Sequence, residues 1–168
     1  FVLGMAGAFL FYSGNLLWIE ARRKRREAAQ PRRTRVMAGL TLGVCLGCVA
    51  GVSAVFVAAA LQPSWAASSV YYAVFFASLA WALLRRPAHA ANELLWACIV
   101  LTAAIPVAGA VASSEHLVAA FANGHWHRFF IDATALLMAV AFWRMAAATR
   151  HRARTGDPHS IWADPRRD

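Results

Sequence analysis

Five long apolar runs, separated by polar or basic loops, make up most of this chain of 168 residues. An α-helix needs about 20 mainly apolar residues to cross a hydrocarbon layer of roughly 30 Å. Backbone groups in lipid must be hydrogen-bonded within their own segment, so runs that are apolar on every side fold as helices. The predicted fold class is therefore all-α, a polytopic helical membrane protein with about five transmembrane helices.

The predicted helices cover residues of about 1–19, 36–61, 68–84, 92–112 and 129–148. Together they assign residues 1–148 to a transmembrane helix bundle. The remainder, 149–168, is polar and basic, and we expect a disordered cytoplasmic tail. The first run is already apolar at Phe1 and has no basic region before it, which favours the C-terminal part of a longer protein over a signal peptide.

Composition separates this chain from soluble proteins. Hydrophobic residues make up 60% of it, whereas soluble domains have about 45–50%. The net charge of +9 would suit a nucleic-acid-binding surface, but the arginines lie at the ends of the apolar runs. That distribution is typical of membrane topology, so the lipid bilayer is the expected partner and nucleic acid is not.

The Lys and Arg residues predict the orientation in the membrane. Under a five-helix alternation, 16 of the 17 lie on one side, and Arg128 alone lies on the other. Basic loops face the cytoplasm in membrane proteins, so the chain is expected to start outside and to end in the cytoplasm. One helix more or fewer would scatter the arginines over both sides.

The second predicted helix carries a glycine stripe. Gly39, Gly43, Gly47 and Gly51 recur every four residues and therefore share one face of the helix. Small residues at this spacing let two helix backbones approach closely in lipid. The stripe predicts a helix-packing surface, against the alternative of chance in a chain rich in Gly and Ala.

The histidines are candidate ligands for a b-type haem, because neutral imidazole is a good haem ligand. Three lie on or near one outer loop, and two lie near the cytoplasmic ends of the fourth and fifth helices. They are His116, His125 and His127 on the outer side, and His89 and His151 on the cytoplasmic side. The alternative is that they are ordinary interfacial residues of wet loops.

Other polar residues in the apolar runs have structural explanations. Asp132 lies one turn inside the fifth helix, where a carboxylate is costly and is by default functional or paired. Arg128 precedes it by four residues, so a local ion pair is the simple alternative. Cys45 and Cys48 have CxxC spacing, but they lie deep within an apolar helix, so we expect packing residues and no redox site.

The first helix resembles a known family. The residues from Gly4 to Trp18 include Ser13-Gly14 and Leu17-Trp18, and the basic block 22–26 follows them. This pattern is similar to the last helix of the PepSY-associated transmembrane (PepSY-TM) family, which includes iron-regulated membrane proteins and siderophore-iron reductases of Gram-negative bacteria. The similarity covers about 26 residues. The later helices are similar to the longer members of the family in general character only.

The resemblance implies a function and a location. The chain would lie in the bacterial inner membrane and take part in iron uptake, as a ferric-siderophore reductase. Haem b would carry electrons from a membrane or cytoplasmic donor to a periplasmic ferric siderophore. No histidine of this chain aligns with a haem ligand of the family, so the five haem candidates depend on chemistry and location. Two alternatives remain: a non-catalytic membrane anchor or accessory subunit, and a transporter component.

Overall fold

The computed structural model describes residues 14, 17, 32–61, 64–113 and 117–155. Helix accounts for 93% of these residues, and none of them lies in a strand. In chain order the helices are α1 (Arg32–Leu61), α2 (Ala67–Leu84), α3 (Pro87–Ser113), α4 (Leu117–Ala122) and α5 (Trp126–Thr155). The predicted all-α class is confirmed.

Four of these helices, α1, α2, α3 and α5, are long and apolar enough to cross a membrane. The chain is therefore a multi-pass membrane protein. Apart from residues 14 and 17, the first predicted helix lies outside the described residues, as do the basic block after it and residues 156–168 of the predicted tail. The four described spans correspond to the second to fifth predicted helices.

The helices extend beyond their apolar runs. α1 and α3 begin four and five residues before the predicted starts at 36 and 92, and α5 ends at Thr155. The predicted disordered tail is therefore wrong for residues 149–155. Arg152 and Arg154 lie in the last turn of α5, where cations interact favourably with the helix dipole, and this favours continuation of the helix into water.

The four spans pack side by side in the order α2, α1, α3, α5. α1 has extensive contacts with α2 and α3, and α3 has extensive contacts with α5. Within the described residues, α5 makes no comparable contact with α1 or α2. We call this arrangement the helix row, and α2 and α5 are its two edges.

The glycine stripe lies against α2. A Cβ atom built on Gly39 would be 2.9 Å from the carbonyl oxygen of Ala82, and one on Gly43 would be 2.9 Å from the Cα of Leu79. At Gly51 the same atom would meet the Tyr71 ring at 2.9 Å. Gly47, between them, lies against Ser78 and Phe75. At Gly39, Gly43 and Gly51 an added Cβ atom would lie less than 3.0 Å from backbone or packed side-chain atoms, so the close approach requires glycine at these three positions.

Tryptophans mark two levels along the spans. Trp65 and Trp126 lie at the end of the helix row that contains the α1–α2 turn, and Trp81 and Trp143 lie towards the other end. Trp65, two residues before α2, is 16 residues from Trp81, and Trp126 is 17 residues from Trp143 on α5, which is roughly 25 Å at 1.5 Å per residue. All four side chains are exposed, as interfacial tryptophans are. The two pairs of tryptophans thus indicate the same distance between the two membrane interfaces.

One end of the helix row, which we call the arginine end, gathers the basic residues. It contains the start of α1, the α2–α3 turn and the end of α5. Its arginines in the described residues are Arg32, Arg33, Arg35, Arg85, Arg86, Arg144, Arg150, Arg152 and Arg154. The opposite end carries Arg128. This asymmetry follows the pattern that the positive-inside rule describes.

Candidate functional sites at the two ends of the α3–α5 interface

The buried face of α5 follows a strict heptad spacing. Asp132, Ala135, Ala139, Phe142 and Ala146 are its buried residues, separated by three, four, three and four positions. This spacing keeps one narrow seam facing a neighbouring helix, here α3. The seam is apolar in its middle and becomes polar at both ends, so the chemistry of this interface lies at its ends.

At the end opposite the arginines, the seam closes on a buried ion pair. Asp132 is 3% exposed, and its Oδ2 lies 4.0 Å from Nε of Arg128, one turn earlier on α5. Both side chains face Gly109 of α3, where a Cβ atom would be 3.0 Å from Nη2 of Arg128 and 3.9 Å from Oδ1 of Asp132. The local ion pair predicted from the sequence is thus present, and a glycine on α3 makes room for it.

The turn between α4 and α5 fixes the position of His125. Gly124 has φ +75°, in the left-handed region that favours glycine. The amide of His125 donates to Ala120 O at 2.9 Å and that of Gly124 to Phe121 O at 3.2 Å, which together end α4 as a Schellman motif. The carbonyl of His125 then accepts from the amides of Arg128 and Phe129 and begins α5.

His125 and His127 are brought together by this turn. Their ring centroids are 6.5 Å apart, with the planes tilted by 42°, and both side chains are exposed. They come from one turn, at the end of the helix row. His116 lies outside the described residues.

A haem in a helix bundle occupies a slot in the bundle core and takes ligands from facing helices. His125 and His127 are neither in a core nor on facing helices. At the arginine end, His89 is half-buried on α3, but His151 is exposed on α5 and does not line the cleft beside His89. The described histidines therefore do not fit a haem. The same residues contain no cluster of three His, Cys, Asp or Glu side chains that could hold a metal ion.

At the arginine end, the α3–α5 interface opens into a cleft of about 160 Å³. His89 and Asn92 line it from the start of α3, and Thr149, Arg150 and Arg154 line it from α5. Oδ1 of Asn92 is buried and has no hydrogen-bond partner among the described residues. We call this the His89–Arg154 cleft.

Aromatic rings hold the charged side chains around this end. The Trp81 Nε1 atom donates to Glu93 Oε2 at 2.6 Å, and the Arg85 Nε atom lies 3.8 Å from the same oxygen. The Arg85 guanidinium also lies 4.9 Å from the Trp81 ring. On the other side of α3, the Arg150 guanidinium lies 5.2 Å from the Trp96 ring. Glu93 of α3 is thus joined to Trp81 of α2 and to Arg85, which follows α2.

The middle of the α1–α3 interface contains hydroxyl and thiol groups. The Ser53 and Thr102 hydroxyl oxygens are 3.4 Å apart, and Thr102 also donates to the carbonyl of Cys98. The Cys98 thiol donates to the carbonyl of Leu46 on α1 at 3.5 Å. Cys48 of the CxxC sequence accepts from the Tyr71 hydroxyl at 3.5 Å, while Cys45 and Cys48 remain free thiols. Apart from the bond between Thr102 and Cys98 within α3, these contacts join α1 to α3 or to α2.

Sequence reasoning missed three features of these sites. It placed no helix at α4, it assigned no role to Gly109, and it did not bring Asn92 and Arg150 together. A glycine followed by His and Trp is a signal for a helix end and could have located α4. The other two features depend on the pairing of α3 with α5, which no local pattern specifies.

Comparison with known proteins gave no relatives. No family model, no curated protein and no solved structure matches the chain.

Proposed function

We propose that this chain is a non-catalytic membrane module, an anchor or accessory subunit that packs against a helix of another membrane protein. The observation that carries the proposal is the open face of α2. Only Ser78 and Ala82 of the 18 residues of this helix are buried. Among the described helices, α2 is thus an edge helix with one packed face and one free face.

The free face of α2 has the residues that helix packing in lipid requires. Ser69, Ala73 and Ala77 are all exposed and recur every four residues. Tyr72 and Phe76 flank them, with ring centroids 6.2 Å apart. Small residues at this spacing allow close backbone approach, as the glycines of α1 do for the other face of α2. A face built only to contact lipid tails has no need of such a stripe.

The arginine end supports an orientation for the module. With the basic residues facing the cytoplasm, α1 starts and α5 ends on the cytoplasmic side, in a bacterial inner membrane. This orientation places the α4–α5 turn and its histidines outside.

Substitution of the free face tests the proposal. A73L/A77L fills the stripe with bulky side chains, and the matched control A141L/A147L makes the same change at exposed alanines of α5. After mild detergent extraction of native membranes, the wild-type chain and the control are expected in one discrete larger complex on a native gel. A73L/A77L is expected to shift to the isolated chain. Equal migration of all three proteins would refute the proposal.

Haem-linked reduction of a ferric siderophore, implied by the resemblance of the first helix, is a second candidate. It depends on residues outside those described, namely the first predicted helix and His116. His125 and His127 would serve as haem ligands only if another segment provided a haem-binding slot next to them. Growth on ferric siderophore as the iron source, with and without the gene, separates this candidate from the anchor.

A further inference from the structure

The His89–Arg154 cleft has the charge of an anion site. Arg150 and Arg154 line it together with His89, and no carboxylate lies among the described residues that line it. The nearest acidic residue along α3, Glu93, is engaged by Trp81 and Arg85. Within the described part of the chain, the cleft is therefore a local excess of positive charge.

The donors of this cleft are arranged in advance. The first turn of α3 contributes Ala88 and His89 to the lining, and amides in a first helical turn have no intrahelical acceptor. The N-terminus of this helix of 27 residues also favours negative charge. The Trp96 ring holds the Arg150 guanidinium, which reduces the entropy that Arg150 would lose on binding.

The depth of the cleft identifies the kind of anion. His89 lies seven residues before Trp96 and thus roughly 10 Å further from the membrane centre. Trp81 and Trp96 are exposed side chains towards this end of the spans. Their rings mark the interface, so the cleft lies at the level of lipid headgroups. Basic pockets between transmembrane helices at this level bind anionic headgroups.

We propose that the His89–Arg154 cleft binds the phosphate headgroup of an anionic phospholipid. Arg150 and Arg154 provide the charged contacts, and the first turn of α3 provides backbone donors. Asn92 also lines the cleft, next to His89 on α3. The lipid would bridge α3 and α5 at the end where their seam opens. This site is independent of the proposed packing of α2 with a partner.

Native mass spectrometry of the full-length protein tests the site. The protein is reconstituted in nanodiscs of equimolar phosphatidylcholine and phosphatidylglycerol, and the phosphatidylglycerol retained after release is measured. R150Q/R154Q is compared with R144Q/R152Q, which removes the same charge from exposed positions of α5 outside the cleft. We expect retention to fall at least about tenfold in R150Q/R154Q and less than about twofold in the control. Equal losses in both would overturn the proposal.

A second variant tests the cleft without changing its charge. Ala153 lines the cleft and Ala147 is exposed elsewhere on α5. A153L fills the cleft and is expected to release the lipid, whereas A147L is expected to keep it. Full retention by A153L would overturn the proposal, and so would release of the lipid by millimolar inorganic phosphate, because the site would then recognise free phosphate.

Discussion

The α1–α2 and α3–α5 interfaces both depend on small residues, but they use them differently. Along α1, four glycines let the backbone of α2 approach to contact distance, and no charged residue is among their neighbours. Along α5, alanines fill only the middle of the seam, while Asp132 occupies one end and a cleft opens at the other. The first interface holds two helices together, and the second also accommodates charge.

The α1–α2 interface therefore provides stability, whereas the candidate binding sites lie at the ends of the α3–α5 interface. Overpacking a close glycine contact disrupts a whole helix pair, because the opposing backbone cannot move away. Charged side chains at a seam end can adjust by moving towards the interface. Substitutions in the two interfaces should therefore differ in size even when the chemical change is the same.

The largest effect is expected at the centre of the glycine stripe. G43L places a branched side chain where a Cβ atom alone would lie 2.9 Å from Cα of Leu79. We expect the free energy of unfolding in mixed micelles to fall by about 3 kcal/mol. V44L, at an exposed neighbour, is the matched control and should leave it unchanged. If G43L unfolds with the same curve as the wild-type protein, α2 does not pack against the glycine stripe.

A smaller loss is expected from the buried ion pair. D132L removes the carboxylate beside Arg128 in a site that is 3% exposed, and it should cost about 2 kcal/mol. R128M/D132L removes both charges and should recover most of that loss, because apolar pairs of similar volume replace such ion pairs well. The unfolding free energies of D132L and R128M/D132L, each compared with the wild-type value, test this expectation. If the double variant is as unstable as D132L, the two charges are not coupled.

A glycine-to-alanine pair compares the interfaces directly. At Gly43 the new Cβ meets the Cα of Leu79, whereas at Gly109 it meets the mobile end of Arg128 at 3.0 Å. Both glycines lie within helices, so the gain in helix propensity cancels in the comparison. We expect G43A to be less stable than G109A by about 1 kcal/mol in thermal or detergent unfolding. The reverse order would contradict the assigned packing of α1 on α2.

The smallest effect is expected in the α1–α3 interface. T102V keeps the shape of the side chain but removes the hydroxyl that contacts Ser53 and the Cys98 carbonyl. Hydrogen bonds between membrane helices contribute about 0.6 kcal/mol on average, so the loss should be of that order. A double-mutant cycle with S53A measures the shared part. If T102V lost as much unfolding free energy as D132L, this contact would do more than join two helices.

The sequence was sufficient for the fold class and for one interface. Apolar run lengths located the described spans, and the four-residue spacing from Gly39 to Gly51 pointed to the face that meets α2. Helix ends were predicted too early or too late, since hydrogen bonding continues into polar residues such as those up to Thr155. A turn of apolar residues as short as α4 gives little periodic signal.

The candidate sites were harder to predict, for a physical reason. His125 and His127 are separated by one residue in the sequence, so their proximity says little about a ligand site. The cleft joins His89 and Asn92 to Arg150 across two helices, and the antiparallel register of α3 and α5 decides that pairing. Register depends on how Asp132 and the alanines pack along the seam, which is a property of the folded interface.

The described histidines, His89, His125, His127 and His151, are expected not to ligate a haem. A dithionite-reduced minus oxidised visible spectrum of the purified full-length protein, expressed with haem supplied, tests it most directly, with H89A, H125A, H127A and H151A measured beside it. The account predicts that none of these four substitutions changes the haem content, whatever its value in the wild-type protein. Sharp b-type bands that disappear in H127A or H89A would contradict it.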